Sequence, residues 1–315
     1  MTTDIPQIAV GLIVAEDGRV LLQHRDDKPD ILEPGVWALF GGHIDPHEDP
    51  AQAFLREMDE ELGWRPKHFE HFRSVDLHLP DGARAVSPVP GPSPANVARS
   101  PAPVHLLSNL FAAHLDVPLE ALSLNEGQGM ALHAPNALPE RIATDLPRIF
   151  AQFAATDAYR RVRKSWDVIS ATAILVDARG RFLLQHRDDK PGIDNPGLWG
   201  SFGGAVDPYE TPADGFLREM REELEWQPRQ FELHVAGPYF PDPRGYGANG
   251  ARSQLIYVYA APVDVPFEDL TLHEGQAMAF FAPDTLPDKT VPAYKDLLHR
   301  FASTQTYLDL MRNAI

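Results

Sequence analysis

GGHIDPHEDPAQAFLREMDEELGW, residues 41–64, is followed 162 residues later by GGAVDPYETPADGFLREMREELEW, residues 203–226. The charged positions agree, while Gly63 has become Glu225. The pair asks whether the chain carries two working sites, or one site and a retired copy kept as scaffold. Each stretch predicts a helix begun by Asp or Thr, with a proline at the first helical position. On that helix Glu57, Glu60 and Glu61 stand at i, i+3 and i+4 and project from one face. Three adjacent like charges destabilise a bare helix, but they suit a hard cation that takes oxygen ligands. The preceding Gly-Gly allows a sharp loop that brings backbone carbonyls to the same point. Arg56 can clamp a neighbouring carboxylate such as Glu48 with its rigid fork of donors. A solvated acidic helix face is the plainer reading, yet it does not explain why the same glycines, arginine and glutamates recur at identical spacing.

The repeat reaches well beyond this stretch. LLQHRDDKP occurs at 21–29 and 183–191, and the pairs Trp37/Trp199 and Gly42/Gly204 keep the offset of 162. Further on, LDVPLEALSLNEGQGMALHAPNALP (115–139) matches PVDVPFEDLTLHEGQAMAFFAPDTLP (262–287), and Glu126 and Glu274 are 148 apart. The drop from 162 to 148 gives the first copy 14 more residues, within or beside AVSPVPGPSPANVARSPAP (85–103), a long exposed loop by composition. The expected organisation is a first domain over 1–159, a short basic linker over 160–166 and a second domain over 167–315. QIAVGLIVA, GRVLLQHR, HLLSNLFAAHL, TAILVD, GRFLLQHR and SQLIYVYAA read as strands. LPRIFAQFAATDAY and YKDLLHRFASTQTYLDLM read as closing helices. Each domain is thus an α/β unit, a mixed sheet with packed helices.

The 315 residues contain no cysteine and carry a formal charge of −17. The first point excludes disulfides and thiolate metal sites. The second argues against a nucleic-acid surface, which needs clustered Lys and Arg. It would also repel a phosphorylated substrate unless a divalent cation sat among the carboxylates. The opening residues lack a basic leader and read as a first strand rather than a signal peptide. No apolar run reaches membrane-spanning length. The expectation is a soluble cytoplasmic protein without a membrane partner.

The pattern G-x5-E-x7-R-E-apolar-x-E-E-x-G-apolar resembles the Nudix box. Gly42, Glu48, Arg56, Glu57, Met58, Glu60, Glu61, Gly63 and Trp64 fit every position. Gly204, Glu210, Arg218, Glu219, Met220, Glu222, Glu223 and Trp226 repeat it, departing only at Glu225. The resemblance covers both repeats and implies two tandem α/β/α sandwiches. It implies hydrolysis of a nucleoside diphosphate linked to another moiety, with Mg²⁺ or Mn²⁺ and water. By position, Glu57, Glu60, Glu61 and the Gly41 carbonyl would be ligands in the first copy, and Glu219, Glu222, Glu223 and Gly203 in the second. A nucleotide sugar or similar small molecule is the first substrate expectation. Nucleoside triphosphates, dinucleotides, coenzyme A, diphosphate isomerisation and a non-catalytic sensing or scaffolding role are the alternatives.

Outside the box, Glu126 and Glu274 match the late-loop glutamate that Nudix enzymes often use as an extra ligand or base; capping of the next segment is the plainer alternative. Arg25, Lys28, Arg187 and Lys190 are candidates for holding phosphates, against simple pairing with adjacent aspartates. His24, His186, Trp37 and Trp199 read as packed side chains. The halves differ most at 238–259, where Tyr239, Phe240, Arg244, Tyr246 and Arg252 offer aromatic faces and cations for a nucleotide. The second copy is therefore expected to bind the nucleotide more tightly. Glu225 stands where the helix should end in a left-handed residue, a matter of stability that removes no ligand.

Overall fold

A computed structural model describes residues 5–28, 31, 33–79, 104–239 and 253–314. The Pro-rich stretch 85–103, Phe240, Arg244, Tyr246, Arg252 and the side chain of Tyr239 lie outside the described residues. The chain divides into two compact units, Met1–Ser165 together with Pro208–Thr211, and Trp166–Asp207 together with Pro212–Ile315.

The first unit contains β1 (Gln7–Val14), β2 (Val20–His24), β3 (Trp37–Ala38), β4 (Phe40–His43), α1 (Pro50–Leu62), β5 (Phe69–Leu79), β6 (Val104–His114), β7 (Gly129–His133), α2 (Leu146–Ala154) and α3 (Asp157–Val162). The strand order is β3-β2-β1-β6-β5, with β4 paired to β1 and β7 to β2. Among the described strand pairings of this unit only β1–β6 is parallel, which makes the sheet mixed.

Strand β1 is apolar on both faces because both faces are covered. Ala9 and Ile13 join Phe54, Met58 and Leu62 of α1 in one cluster. Val10, Leu12 and Val14 join Ile149, Phe150 and Phe153 of α2 in another. Alternate side chains of one strand thus feed two cores, and the unit is a three-layer α/β/α sandwich. Each fully buried Phe, Leu or Met of α1 contributes about 1.5–3 kcal/mol of transfer free energy.

The second unit repeats this with β8 (Val168–Val176), β9 (Phe182–His186), β10 (Trp199–Gly200), β11 (Gly203–Ala205), α4 (Pro212–Leu224), β12 (Glu232–Tyr239), β13 (Gln254–Pro262), β14 (Ala277–Phe281), α5 (Pro292–Phe301) and α6 (Gln305–Asn313). Its order is β10-β9-β8-β13-β12, with β11 on β8 and β14 on β9. Ala171, Ala173 and Leu175 face α4, and Ile174 and Val176 face α5 and α6.

Two features differ from the sequence expectation. Each closing helix is broken in two, because Thr156 and Thr304 turn their hydroxyls onto the amides of Tyr159 and Tyr307 and start a new helix. Strands β5 and β12 join each sheet at its edge. FEHFRSVDLHL mixes charged and apolar residues because, among the described strands, it pairs with β6 alone.

Candidate active site

Four segments of each unit converge: the Gly-Gly turn of β4, the acidic face of α1, the buried β2, and the turn 123–128. Helix α1 is set in register by a capping box. Asp49 Oδ1 accepts from the amides of Ala51 and Gln52 at 2.9 Å, and Gln52 Oε1 accepts from the Asp49 amide at 3.3 Å. At its far end Trp64, the closing apolar position of the box, is buried and donates to Asp116 at 2.8 Å; Trp226 and Asp264 repeat this at 2.9 Å.

That register sends Glu61 inward, where it is 6% exposed. Its Oε2 accepts from the Gly41 amide at 2.8 Å, and its partner in the second half, Glu223, accepts from the Gly203 amide at 2.7 Å. For the proposed ligand positions Gly41 and Gly203, then, the observed contact is made by the amide, which holds a carboxylate. Glu57 turns beside Gly42: a Cβ on Gly42 would fall 2.6 Å from the Glu57 carboxylate, and one on Gly204 2.7 Å from that of Glu219. The box glycine is thus a space left for an acid. Glu60 lies at the rim with its side chain 61% exposed.

Arg56 ties the face together. Its Nε and Nη2 grip both oxygens of Glu48 at 3.0 Å, Nη1 donates to Glu57 at 2.7 Å and Glu60 at 3.1 Å, and Nη2 also donates to the His43 carbonyl at 2.8 Å. Arg218 repeats the contacts to Glu219, Glu222 and the Ala205 carbonyl at 2.8, 3.1 and 2.8 Å. These bonds hold the Glu48 carboxyl below its ordinary range.

The late turn docks on the C-terminal carbonyls of α1, which have no partner within the helix. The amides of Ser123 and Asn125 donate to Leu62 and Glu61 at 2.9 Å, and Asn125 Nδ2 donates to Glu60 at 2.7 Å. In the second half Thr271 and His273 donate to Leu224 and Glu223 at 3.1 and 3.0 Å. Glu126 and Glu274 are thereby carried to the carboxylate faces.

One pair of site residues escaped the sequence reading. Gln23, 4% exposed in β2, donates to the Glu126 carbonyl at 3.1 Å and reaches Glu61 Oε1 at 3.5 Å. Gln185 does the same for Glu274 and Glu223 at 3.1 and 3.3 Å. The available signal was a glutamine inside the otherwise apolar run LLQ, repeated twice.

Burial pushes Glu61 up to about 8; the Gly41 amide opposes this, and the charges of Glu57 and Glu126 add to it. Burial likewise pushes Glu223 up to about 7. Glu57 and Glu219 are also raised by burial, with Arg56 and Arg218 opposing. Fully ionised, each face would hold more negative charge than its arginine balances, and the raised values show how unfavourable that state is without a cation. Among the described residues no three His, Asp or Glu side chains are already gathered into a metal cage. The donor set is nonetheless all oxygen, with an excess of charge, and suits a hard divalent cation.

The remaining candidates are spread around this core. Lys28 pairs with Asp26 and Lys190 with Asp188, both at 2.5 Å, and Arg187 donates to the Asp194 carbonyl at 2.8 Å. The Arg25 carbonyl accepts from Gln128 at 2.7 Å. His24 stacks on Trp37 with ring centroids 5.0 Å apart, and His186 on Trp199 at 4.9 Å.

The two halves diverge on the opposite face of the sheet. In the second unit a cavity of about 530 Å³ adjoins Gly203 and Gly204. Ser170, Thr172, Ser201 and Gln254 line it, along with Arg187 and Asn195. At the first four positions the first unit has Ile8, Val10, Leu39 and Leu106. Ile8, Val10 and Leu39 belong to the apolar cluster under α2. There Arg73 of β5 donates to Gln152 of α2 at 2.5 Å.

Among the described residues no helix is long and apolar enough to cross a membrane. A NUDIX domain profile matches residues 5–153 and again 167–301. The chain is 36% identical over 75 residues to an 8-oxo-dGTP diphosphatase of Escherichia coli (strain K12), covering 24% of this chain and 57% of that protein. It is 41% identical over 54 residues to a CTP pyrophosphohydrolase of the same organism, covering 17% and 38%. The chain thus spans less than two thirds of the length of either relative. A solved MutT NUDIX hydrolase from Burkholderia pseudomallei aligns at 25% identity, covering 42% of this chain and 95% of that one, with a TM-score of 0.35. With a profile matched across both units, this chain belongs to the NUDIX family and carries two NUDIX domains in tandem.

Proposed function

We propose that the protein hydrolyses the diphosphate of a nucleoside diphosphate linked to another moiety, such as a nucleotide sugar, with Mg²⁺ or Mn²⁺, and that the second half binds the nucleotide. The observation that carries this reading is the buried Glu223, fixed beside Glu219 by the amide of Gly203, a residue that also lines the polar-lined cavity on the other face of the sheet. Glu219, Glu222 and Glu223 would hold the cation, which supplies charge neutralisation at the diphosphate and lowers the pKa of a water. Arg218 fixes the directions of Glu219 and Glu222. Gln185 locks the late turn, so that Glu274 stands ready to take a proton from the attacking water. The cavity, with aliphatic walls and a few polar groups, has the size and character of a nucleoside pocket. Relatives whose names specify 8-oxo-dGTP and CTP support a nucleotide substrate.

The first half carries the same carboxylates but an apolar counterpart of the pocket, so its metal face lacks the same means of holding a base. The test is hydrolysis of a panel of NDP-sugars, nucleoside triphosphates and dinucleotides with Mg²⁺, comparing wild type, Glu61→Gln, Glu223→Gln and the double variant. Glu223→Gln should abolish most of the activity and Glu61→Gln should spare it. Turnover that survives the double variant would overturn the assignment.

A further inference from the structure

Helix α5 crosses the second sheet from one edge to the other. Just before it starts, the Val291 amide donates to the Trp199 carbonyl of β10 at 2.9 Å. It ends with Phe301 edge-on to His234 of β12, ring centroids 4.7 Å apart. Ala293, Leu297 and Arg300, at helical spacing on one face, roof the cavity. Beneath them Ala205, Ser170, Ile256 and Gly237 pair in one row across β11, β8, β13 and β12. At the usual strand spacing that floor is about 14 Å long. One end adjoins the Gly203–Gly204 turn, and Arg300 stands at the other.

The first unit keeps this far end closed. Arg73 of β5 donates to Gln152 of α2 at 2.5 Å, and Val75 packs against the apolar cluster beneath. The matching residues in the second unit are Val235, Arg300 and Gly237. The cation has moved from strand to helix, and the space under it is open: a Cβ on Gly237 would meet nothing within 4 Å. Arg300 is exposed, and among the described residues its guanidinium makes no hydrogen bond or ion pair. Its charge reaches β12, where burial and Arg300 together hold His234 below its ordinary range, against Glu232. The other arginine of the lining, Arg187, lies at the opposite edge beside Asp194 and has a counterpart in Arg25. Only Arg300 is peculiar to the half that has the cavity. In a chain of formal charge −17, an uncommitted cation at the end of a cavity marks a place for an anion.

We infer that Arg300 is a specificity-determining residue of the second half, and that the group seated in this cavity carries an anionic substituent, a phosphate or a carboxylate, at its end away from the diphosphate. This rests on the reading of the second half as the nucleotide site. A guanidinium meets either anion with two parallel donors, and such charge-assisted bonds are roughly twice as strong as neutral ones. The nucleoside bears the substituent if it is a sugar phosphate such as a 3′-phosphate; the linked moiety bears it if it is a sugar acid. Arg300 recognises the same chemistry in both.

The experiment measures dissociation constants on the full chain with Mg²⁺, using methylene-bridged diphosphates that are not cleaved. One pair is the adenosine diphosphate analogue with and without a 3′-phosphate. The other is the UDP-glucuronate analogue against the UDP-glucose analogue. The wild type should bind the anionic member of at least one pair more tightly by about tenfold or more, and that pair identifies the bearer. Arg300→Gln, which installs the first unit's residue, should bring the pair within about twofold and leave the neutral member's constant unchanged. Arg300→Lys, which keeps the charge without the fork of donors, should retain part of the preference. Added salt should shrink the wild-type preference. A wild type that distinguishes neither pair, or an Arg300→Gln protein that still does, would overturn the inference. Hydrolysis that survives Glu223→Gln would instead remove the underlying reading, so the two failures are separable.

Discussion

His273 Nε2 lies 2.8 Å from Glu225 Oε1, and the residues at these places in the first half are Asn125 and Gly63. Both ends of the contact have changed together. Gly63 ends α1 at φ +59°, and Glu225 ends α4 at φ +52°, in the same left-handed state. A glutamate in that conformation costs on the order of 1 kcal/mol, and an exposed pair returns 0–1 kcal/mol. Glu225→Gly should therefore change unfolding free energy by less than about 1 kcal/mol and leave hydrolysis intact. Gly63→Glu, with no histidine to meet it, should cost the first unit about 1 kcal/mol, read from denaturant midpoints.

Gly42→Ala and Gly204→Ala place a methyl group where the Glu57 and Glu219 carboxylates now lie. Because those carboxylates end flexible side chains, they can move aside, and the stability cost should stay near about 1 kcal/mol. Mg²⁺ affinity of the altered half should fall by about tenfold or more, as for other displaced groups around a metal site. Calorimetric titration of Mg²⁺ checks this, and an unchanged affinity would show that neither glutamate holds the ion.

The buried acids give stability a pH dependence of defined sign. Glu61 and Glu223 have ordinary values of 4.5, and in the metal-free fold they rise to about 8 and about 7. Below 4.5 both are protonated whether folded or not, so nothing is lost. As pH climbs through the folded values the carboxyls must ionise in place, and stability falls, since the folded state has been the one binding the extra protons. Denaturation in chelator from pH 5 to 9 should show this decline, and the Glu61→Gln/Glu223→Gln double variant should flatten it. Mg²⁺ should stabilise the wild type more at pH 8 than at pH 5.

Gln185→Leu keeps the strand apolar but strands the Glu274 carbonyl, at about 1–3 kcal/mol. If Gln185 positions the late turn, kcat should fall by about tenfold with KM little changed. Steady-state kinetics separates this from a binding role, which would raise KM instead.

The box was legible in sequence because a helix converts fixed spacing into a shared face: Glu57, Glu60 and Glu61 need no tertiary information to be neighbours. Glu126 stood out as a candidate because its EGQ turn recurs in the second copy. Gln23 was not, since a glutamine in a buried strand acquires meaning only from the carbonyl and carboxylate brought to it by α1 and a turn a hundred residues away. The cavity is harder still. Ser170, Ser201 and Gln254 come from three separate elements, and their contrast with Ile8, Leu39 and Leu106 is visible only once the two sheets define which positions face the same space. The break in each closing helix turned on single threonine hydroxyls that an apolar periodicity does not weigh.

Tyr159 and Tyr307 each donate their hydroxyl to the carbonyl of a glycine in the first hairpin of their own unit, Gly18 and Gly180, at 2.6 Å. The last helix of each unit thus returns to the turn where that unit began. A stretch of chain closed on itself in this way can be copied end to end without severing the bonds that hold it. Once there are two, matching positions can diverge while the frame stays the same, as Ser170 and Ile8 have done. The bonds from Thr144 to Glu33, which Pro292 cannot make in the second half, are one outcome of that freedom.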